Sequence, residues 1–175
     1  HPAIRTAAME VMIDAHLGAS QDIAWGSWEN KQLAVSTWLQ RASEYAEAMT
    51  AIETGSHTDA LRFRVATRAL AACVGAQGEL SPADWTRRAI EVGERMIEAN
   101  QDPHRKQQIA WDLGLALYDS VQVHQVRGEQ DVALEVGRRA AELLERGSEG
   151  NQRPANWLLM GRLYFRLGTI YAVNK

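Results

Sequence analysis

Glu10, Asp14 and His16 bring three side chains capable of proton transfer together near the start of this 175-residue chain. Glu10 and Asp14 lie four residues apart on one helix face, with His16 close by, which is the make-up of a general acid–base cluster when it lines a cleft. The same pattern also describes a solvated acidic face on a terminal helix. Elsewhere the reactive residue types are dispersed. The five histidines (His1, His16, His57, His104 and His124) contain no pair spaced by four, as a helix-borne metal site requires, so no metal ligands are assigned. Asp119 and His124 are five apart, which sets them on different sides of a helix. Cys73 is the single cysteine, so the chain has no internal disulfide and no cysteine-based zinc site. Its setting in Ala69-Leu-Ala-Ala-Cys-Val74 is that of a small core residue. Neither a phosphate-binding Gly-x-x-x-x-Gly-Lys-Ser/Thr loop nor a Gly-x-Gly-x-x-Gly turn is present. No catalytic residue and no cofactor is therefore assigned.

Bulk properties point to one ordered domain spanning residues 1–175. With 46% hydrophobic residues the chain is not generally disordered, and its formal net charge of -3 offers no electrostatic footprint for nucleic acid. No stretch has the length and apolarity of a membrane span. The chain opens His1-Pro2-Ala3 without an initiator methionine, which leaves processing and compartment open, with a soluble cytoplasmic protein as the default expectation. Sixteen arginines against three lysines supply planar donors suited to carboxylates, although a GC-rich gene gives the same bias.

The elements that must position these groups are all helical, because no segment sustains period-two alternation. A first helix is expected from Pro2 to about Leu17, with Ile4, Ala8, Val11 and Ala15 facing inward and Gly18-Ala-Ser20 ending it. A linker over 21–27 leads to a helix over about 29–53, striped by Ala34, Trp38, Ala42, Tyr45, Met49 and Ile52. Thr58 is the expected N-cap of the third helix, whose core face is Leu61, Val65, Ala69 and Ala72. Ser81-Pro82-Ala83-Asp84 and Asp102-Pro103 are cap-then-proline starts for the fourth and fifth helices. Gly128 stops the fifth. The sixth covers about 131–146, with Ala133, Val136, Ala140 and Leu143 inward, before a linker from Gly147 to Gln152. Pro154 opens the seventh. Of the six tryptophans, Trp38, Trp85, Trp111 and Trp157 fall on inward stripes. Trp25 and Trp28 lie in the first linker, either as anchors for a partner or as a plug for the first hairpin.

The chain also repeats itself. Trp157-Leu-Leu-Met-Gly-Arg-Leu-Tyr164 follows Trp111-Asp-Leu-Gly-Leu-Ala-Leu-Tyr118 by 46 residues, and Ala89-Ile-Glu-Val-Gly returns 44 residues later as Ala133-Leu-Glu-Val-Gly. Such self-similarity marks stacked units that bury their apolar faces on one another. Tyr164-Phe-Arg-Leu167-Gly168-Thr-Ile-Tyr171 resembles the first-helix signature of the tetratricopeptide repeat, and Gly128, Ala133 and Ala140 resemble that family's turn and second helix. The period near 45 exceeds the family's 34 and suits a HEAT-like array equally well. Gly93 and Gly137 stand where the family pattern favours an aromatic, and they are expected at close contacts between helices.

The resemblance implies an all-α solenoid, a right-handed superhelix of about seven helices in stacked antiparallel hairpins. Residues 1–55 form a divergent hairpin or cap, 57–100 and 103–147 form hairpins, and 154–175 the first helix of a further repeat. It implies a protein- or peptide-binding scaffold whose concave groove holds Asp119, Val123, Arg127, Arg162, Phe165, Arg166 and Thr169, the arginines suiting an acidic ligand. The competing expectation is a helical regulatory or catalytic domain, with its site near Glu10, Asp14 and His16 or outside this chain. The run ends at Lys175 with no partner helix after Tyr171-Ala172-Val173. The expectation is a piece of a longer array, or self-association through that open C-terminal helix.

Overall fold

The computed structural model describes residues 2–150 and 153–173, which contain seven helices and no strand. They are α1 (Pro2–Trp25), α2 (Lys31–Thr50), α3 (Ser56–Gly75), α4 (Ala83–Ala99), α5 (Pro103–Val126), α6 (Gln130–Ser148) and α7 (Pro154–Val173). Asp102 caps α5 as expected, accepting the His104 amide at 3.0 Å with Pro103 as the first helical residue. The α4 helix instead starts at Ala83 with Pro82 rather than Ser81 in the N-cap position, and Ser81 Oγ, one residue further out, accepts the Ala83 amide at 3.4 Å. Gly128, at φ 77°, reverses the chain between α5 and α6.

The first half departs from its sequence pattern. The α1 helix does not stop at Gly18. Ser20 Oγ donates to the Leu17 carbonyl at 2.7 Å, and the helix continues to Trp25, absorbing much of the anticipated linker. Its buried face is Ile13, His16, Leu17, Ser20 and Ala24, whereas Ile4, Ala8, Val11 and Ala15 face solvent. The reason is physical: α1 is apolar on two sides, and periodicity does not say which side finds a neighbour. In α2 the stripe is rotated by one residue at its start, so that Val35 and Leu39 are buried while Ala34 and Trp38 are only half-buried. Thr58 is not the cap of α3 but lies inside its first turn, donating to the Gly55 carbonyl at 3.0 Å. Gly147 belongs to α6 rather than to a linker, because a Cβ there would stand 2.6 Å from the Trp111 amide nitrogen and only glycine allows that approach.

Packing joins helices that are one or two apart in the chain. The α1 helix packs on α2 and α3; α3 also meets α2, α4 and α5; α5 meets α4 and α6; and α6 meets α7. The α3 helix serves two apolar clusters at once. Leu61, Val65, Ala69 and Ala72 join α1 and α2, while Phe63, Ala66 and Leu70 join α4, α5 and α6. Each fully buried Leu or Ile in these clusters is worth roughly 1.5–3 kcal/mol. Gly93 receives Leu113 and Phe63 side-chain carbons, and Gly137 receives Leu167. Both glycines are contact points between helices. Trp85 and Trp111 are half-buried against the core, but Trp157 is 58% exposed and its inward placement does not hold.

Candidate functional site: the groove between α5 and α7

Leu163 and Ile170, both fully buried, and Leu167 at Gly137 fix one side of α7. An adjacent side then faces α5 across a groove of about 400 Å³ lined by Tyr118, Gln125, Arg162, Phe165, Arg166 and Thr169. Arg166 is the fixed centre of this groove. Its Nη1 donates to Gln125 Oε1, its Nη2 lies 3.3 Å from Gln122 Oε1, and its guanidinium sits 5.7 Å from the Tyr118 ring centroid. Its Nε is buried with no acceptor among the described residues. Arg162 is exposed and forms no ion pair with a described residue, and Phe165 is 79% exposed beside it. Thr169 Oγ1 donates to the Phe165 carbonyl at 3.0 Å.

Four of the seven residues expected in the groove therefore meet there: Arg162, Phe165, Arg166 and Thr169. Val123 and Asp119 from α5, and Arg127 just past its end, do not. Val123 is 2% exposed and packs into the cluster of α1, α2 and α3, so it cannot line a groove. Arg127 turns to the α3–α4 connection, donating to the Gly78 carbonyl at 2.8 Å and to Glu129 at 2.9 Å. Asp119 has neither arginine as a partner, and burial without a cation pushes its carboxyl up to about 6. Tyr118, Gln122 and Gln125 take those places. Tyr118 was visible as one of the repeated aromatics, and Gln122 and Gln125 follow it at spacings of four and seven on the same face.

The acid–base grouping of α1 is dispersed by the fold. Glu10 pairs with His57 Nε2 at 2.8 Å, and Asp14 lies 3.0 Å from Arg64 Nη2. His16 points the other way, buried edge-on against Trp38 and Tyr45 at 5.1 and 5.5 Å. A different histidine is paired instead. His124 is buried, and its Nδ1 lies 2.5 Å from Glu129 Oε2, a partner also five residues away. The helix ends at Val126, so the reversal at Gly128 returns Glu129 to the imidazole where a continuing helix would carry it away. The hydrogen bond from His124 lowers the Glu129 pKa, with Arg127 adding to the effect. Cys73 is buried and its thiol is pushed up to about 12, which removes it as a nucleophile at neutral pH. No three His, Cys, Asp or Glu side chains among the described residues gather as metal ligands.

Trp25 lies at the end of α1, 63% exposed, with one ring face 3.0 Å from where a Gly75 Cβ would stand. Its Nε1 donates to Gln21, which in turn donates to the Arg68 carbonyl at 2.7 Å, so Trp25 pins α1 to α3. Trp28 is 64% exposed and folds over Gly26. No helix among the described residues is long and apolar enough to cross a membrane. No protein-family model matches the chain, and no relative is found among curated proteins.

Proposed function

We propose that this chain is a helical-repeat scaffold of the tetratricopeptide-like kind, and that its α5–α7 groove captures an acidic peptide segment of a partner protein. The observation that carries this reading is Arg166. Its guanidinium is held by two glutamines and an aromatic ring, with a buried Nε donor that has no acceptor among the described residues, beside the exposed Arg162, which has no ion-pair partner among them, and the exposed Phe165. Guanidinium groups held in place lose little freedom on binding and match a carboxylate fork. An apolar ring next to them suits a peptide that alternates acidic and aromatic or aliphatic side chains. Packing of each hairpin on the next, with α1 on α3 and α3 on α5, supports a solenoid.

The test is an immobilised array of acidic peptides probed with the labelled chain. Captured sequences should rank by acidic content, and capture should fall as salt rises. The Arg162→Glu change, at an exposed position, should weaken capture about tenfold, equivalent to about 1.4 kcal/mol, while helicity by circular dichroism stays unchanged. Equal capture by the variant removes the groove from the proposal.

A further inference from the structure

Helices α4 and α6 both pack on α5 and leave between them a groove of about 460 Å³. Ala83, Thr86 and Ile90 line it from α4, Val132 and Val136 from α6, and His124 from α5. The walls follow from helical spacing, with intervals of three and four along α4 and of four along α6. Farther along both helices Glu94 pairs with Arg139, which joins the two walls. The groove's charged residues are engaged on their own helix: Arg87 lies 3.5 Å from Asp84, and Glu91 3.7 Å from Arg95. What remains is apolar surface and two buried polar side chains.

Thr86 is committed. Its Oγ1 donates to the Pro82 carbonyl at 2.9 Å and lies 2.6 Å from Ser120 Oγ. His124 is committed at one nitrogen only. Its Nδ1 lies 2.5 Å from Glu129 Oε2, and the second oxygen of that carboxylate accepts Arg127 Nε at 2.9 Å. An ionised carboxylate can only accept, so the proton of the first bond sits on Nδ1, and Nε2 of the neutral ring is a bare acceptor. A carboxylate behind a histidine thus presets what its other nitrogen can receive. Nε2 has no partner among the described residues, although His124 is only 2% exposed. Buried polar atoms are nearly always paired, so an unpartnered one on a residue that lines a groove marks a place for a ligand's donor.

The surroundings narrow the donor. An anion would meet a lone pair backed by the Glu129 carboxylate, and a cation would find Glu91, the groove's one carboxylate, already paired. A neutral hydroxyl fits both conditions. Ligand sites of about 300–1,000 Å³ typically combine apolar walls with a few placed polar groups, as this groove does.

We infer that the α4–α6 groove binds a small, largely apolar molecule bearing a hydroxyl, which donates to His124 Nε2 while its body lies against Ile90, Val132 and Val136. The groove shares no lining residue with the one that holds Arg166, so this inference stands or falls independently of peptide capture.

The test is titration of the full chain with 4-ethylphenol and with cyclohexylmethanol, each compared with its methyl ether, while the histidine ring nitrogens are followed by ¹⁵N NMR. Both hydroxyl probes should bind saturably and move the Nε2 resonance of His124, identified by its loss in His124→Phe. The ethers, which cannot donate, should bind about tenfold more weakly. Val132→Trp, at a 43% exposed position, should fill the groove and abolish binding with helicity unchanged. His124→Phe should bind each alcohol no better than its ether; should that variant lose helicity, the ether comparison on the wild-type chain decides. Failure of both hydroxyl probes to bind overturns the inference. So does equal binding of alcohols and ethers, which would leave His124 without a part, or undiminished binding to Val132→Trp, which would place the probes elsewhere.

Discussion

Helices α5 and α7 carry related sequences in unlike surroundings. Trp111 is half-buried under α6, while its counterpart Trp157 is mostly exposed. Asp119 is a half-buried carboxylate with no cation beside it among the described residues, and its counterpart 46 residues on, Phe165, is an aromatic ring in solvent. The difference teaches that the repeat encodes a helix with several usable faces, and that neighbours decide which of them become core. On α5 the inner faces are filled by α3, α4 and α6; on α7 only α6 packs extensively.

The comparison can be broken most directly by truncating the two tryptophans. Trp111→Ala should cost about 3 kcal/mol of stability by denaturant unfolding, whereas Trp157→Ala should cost less than about 1 kcal/mol under conditions where the chain is monomeric. Similar losses at both sites would show that the α7 face is covered in the monomer after all. Next in size is the join between α6 and α7. The Gly137→Leu side chain would collide with Leu167, and overpacking of about 2 kcal/mol should lower the melting temperature. An unchanged melting temperature would mean that α7 is not seated on α6 as described.

The smallest effect sharpens the contrast between Asp119 and Phe165. The folded-state carboxyl titrates near 6, above the ordinary value of about 3.9, so the folded chain holds the proton more tightly than the unfolded one. Stability is then fully present below the ordinary value and is lost as pH rises towards 6. Asp119→Asn should consequently raise stability by about 1 kcal/mol above about pH 6, allowing for its partial exposure, and make no difference below about pH 4. A pH-independent difference would place Asp119 in solvent.

The second half of the fold was more legible in the sequence than the first. The cap at Asp102, the proline turn that opens α4, the stop at Gly128 and the inward stripe of α6 are local signals, each settled by residues within a turn or two. The α1 helix carries no such arbiter, because Ile4, Val11, Ile13 and Leu17 leave both of its sides apolar. Of the groove, the α7 residues were legible because they sit on one short stretch with a family-like register. Placement of the α5 residues assumed that the shift of 46 preserves orientation as well as residue type. Val123 shows otherwise, packing towards α1, α2 and α3. His124 with Glu129 was missed for a related reason, since their five-residue separation pairs them only across a chain reversal.

By itself the sequence determined that the chain is helical, where most helices start and stop, and that parts of it repeat. Those properties follow from backbone hydrogen bonding, capping and proline or glycine stereochemistry, which act over a few residues. Only the tertiary structure decided which apolar faces of α1 and α7 are core and which are surface, and which arginine is held in place. Those outcomes depend on what another helix, distant in sequence, brings into van der Waals contact.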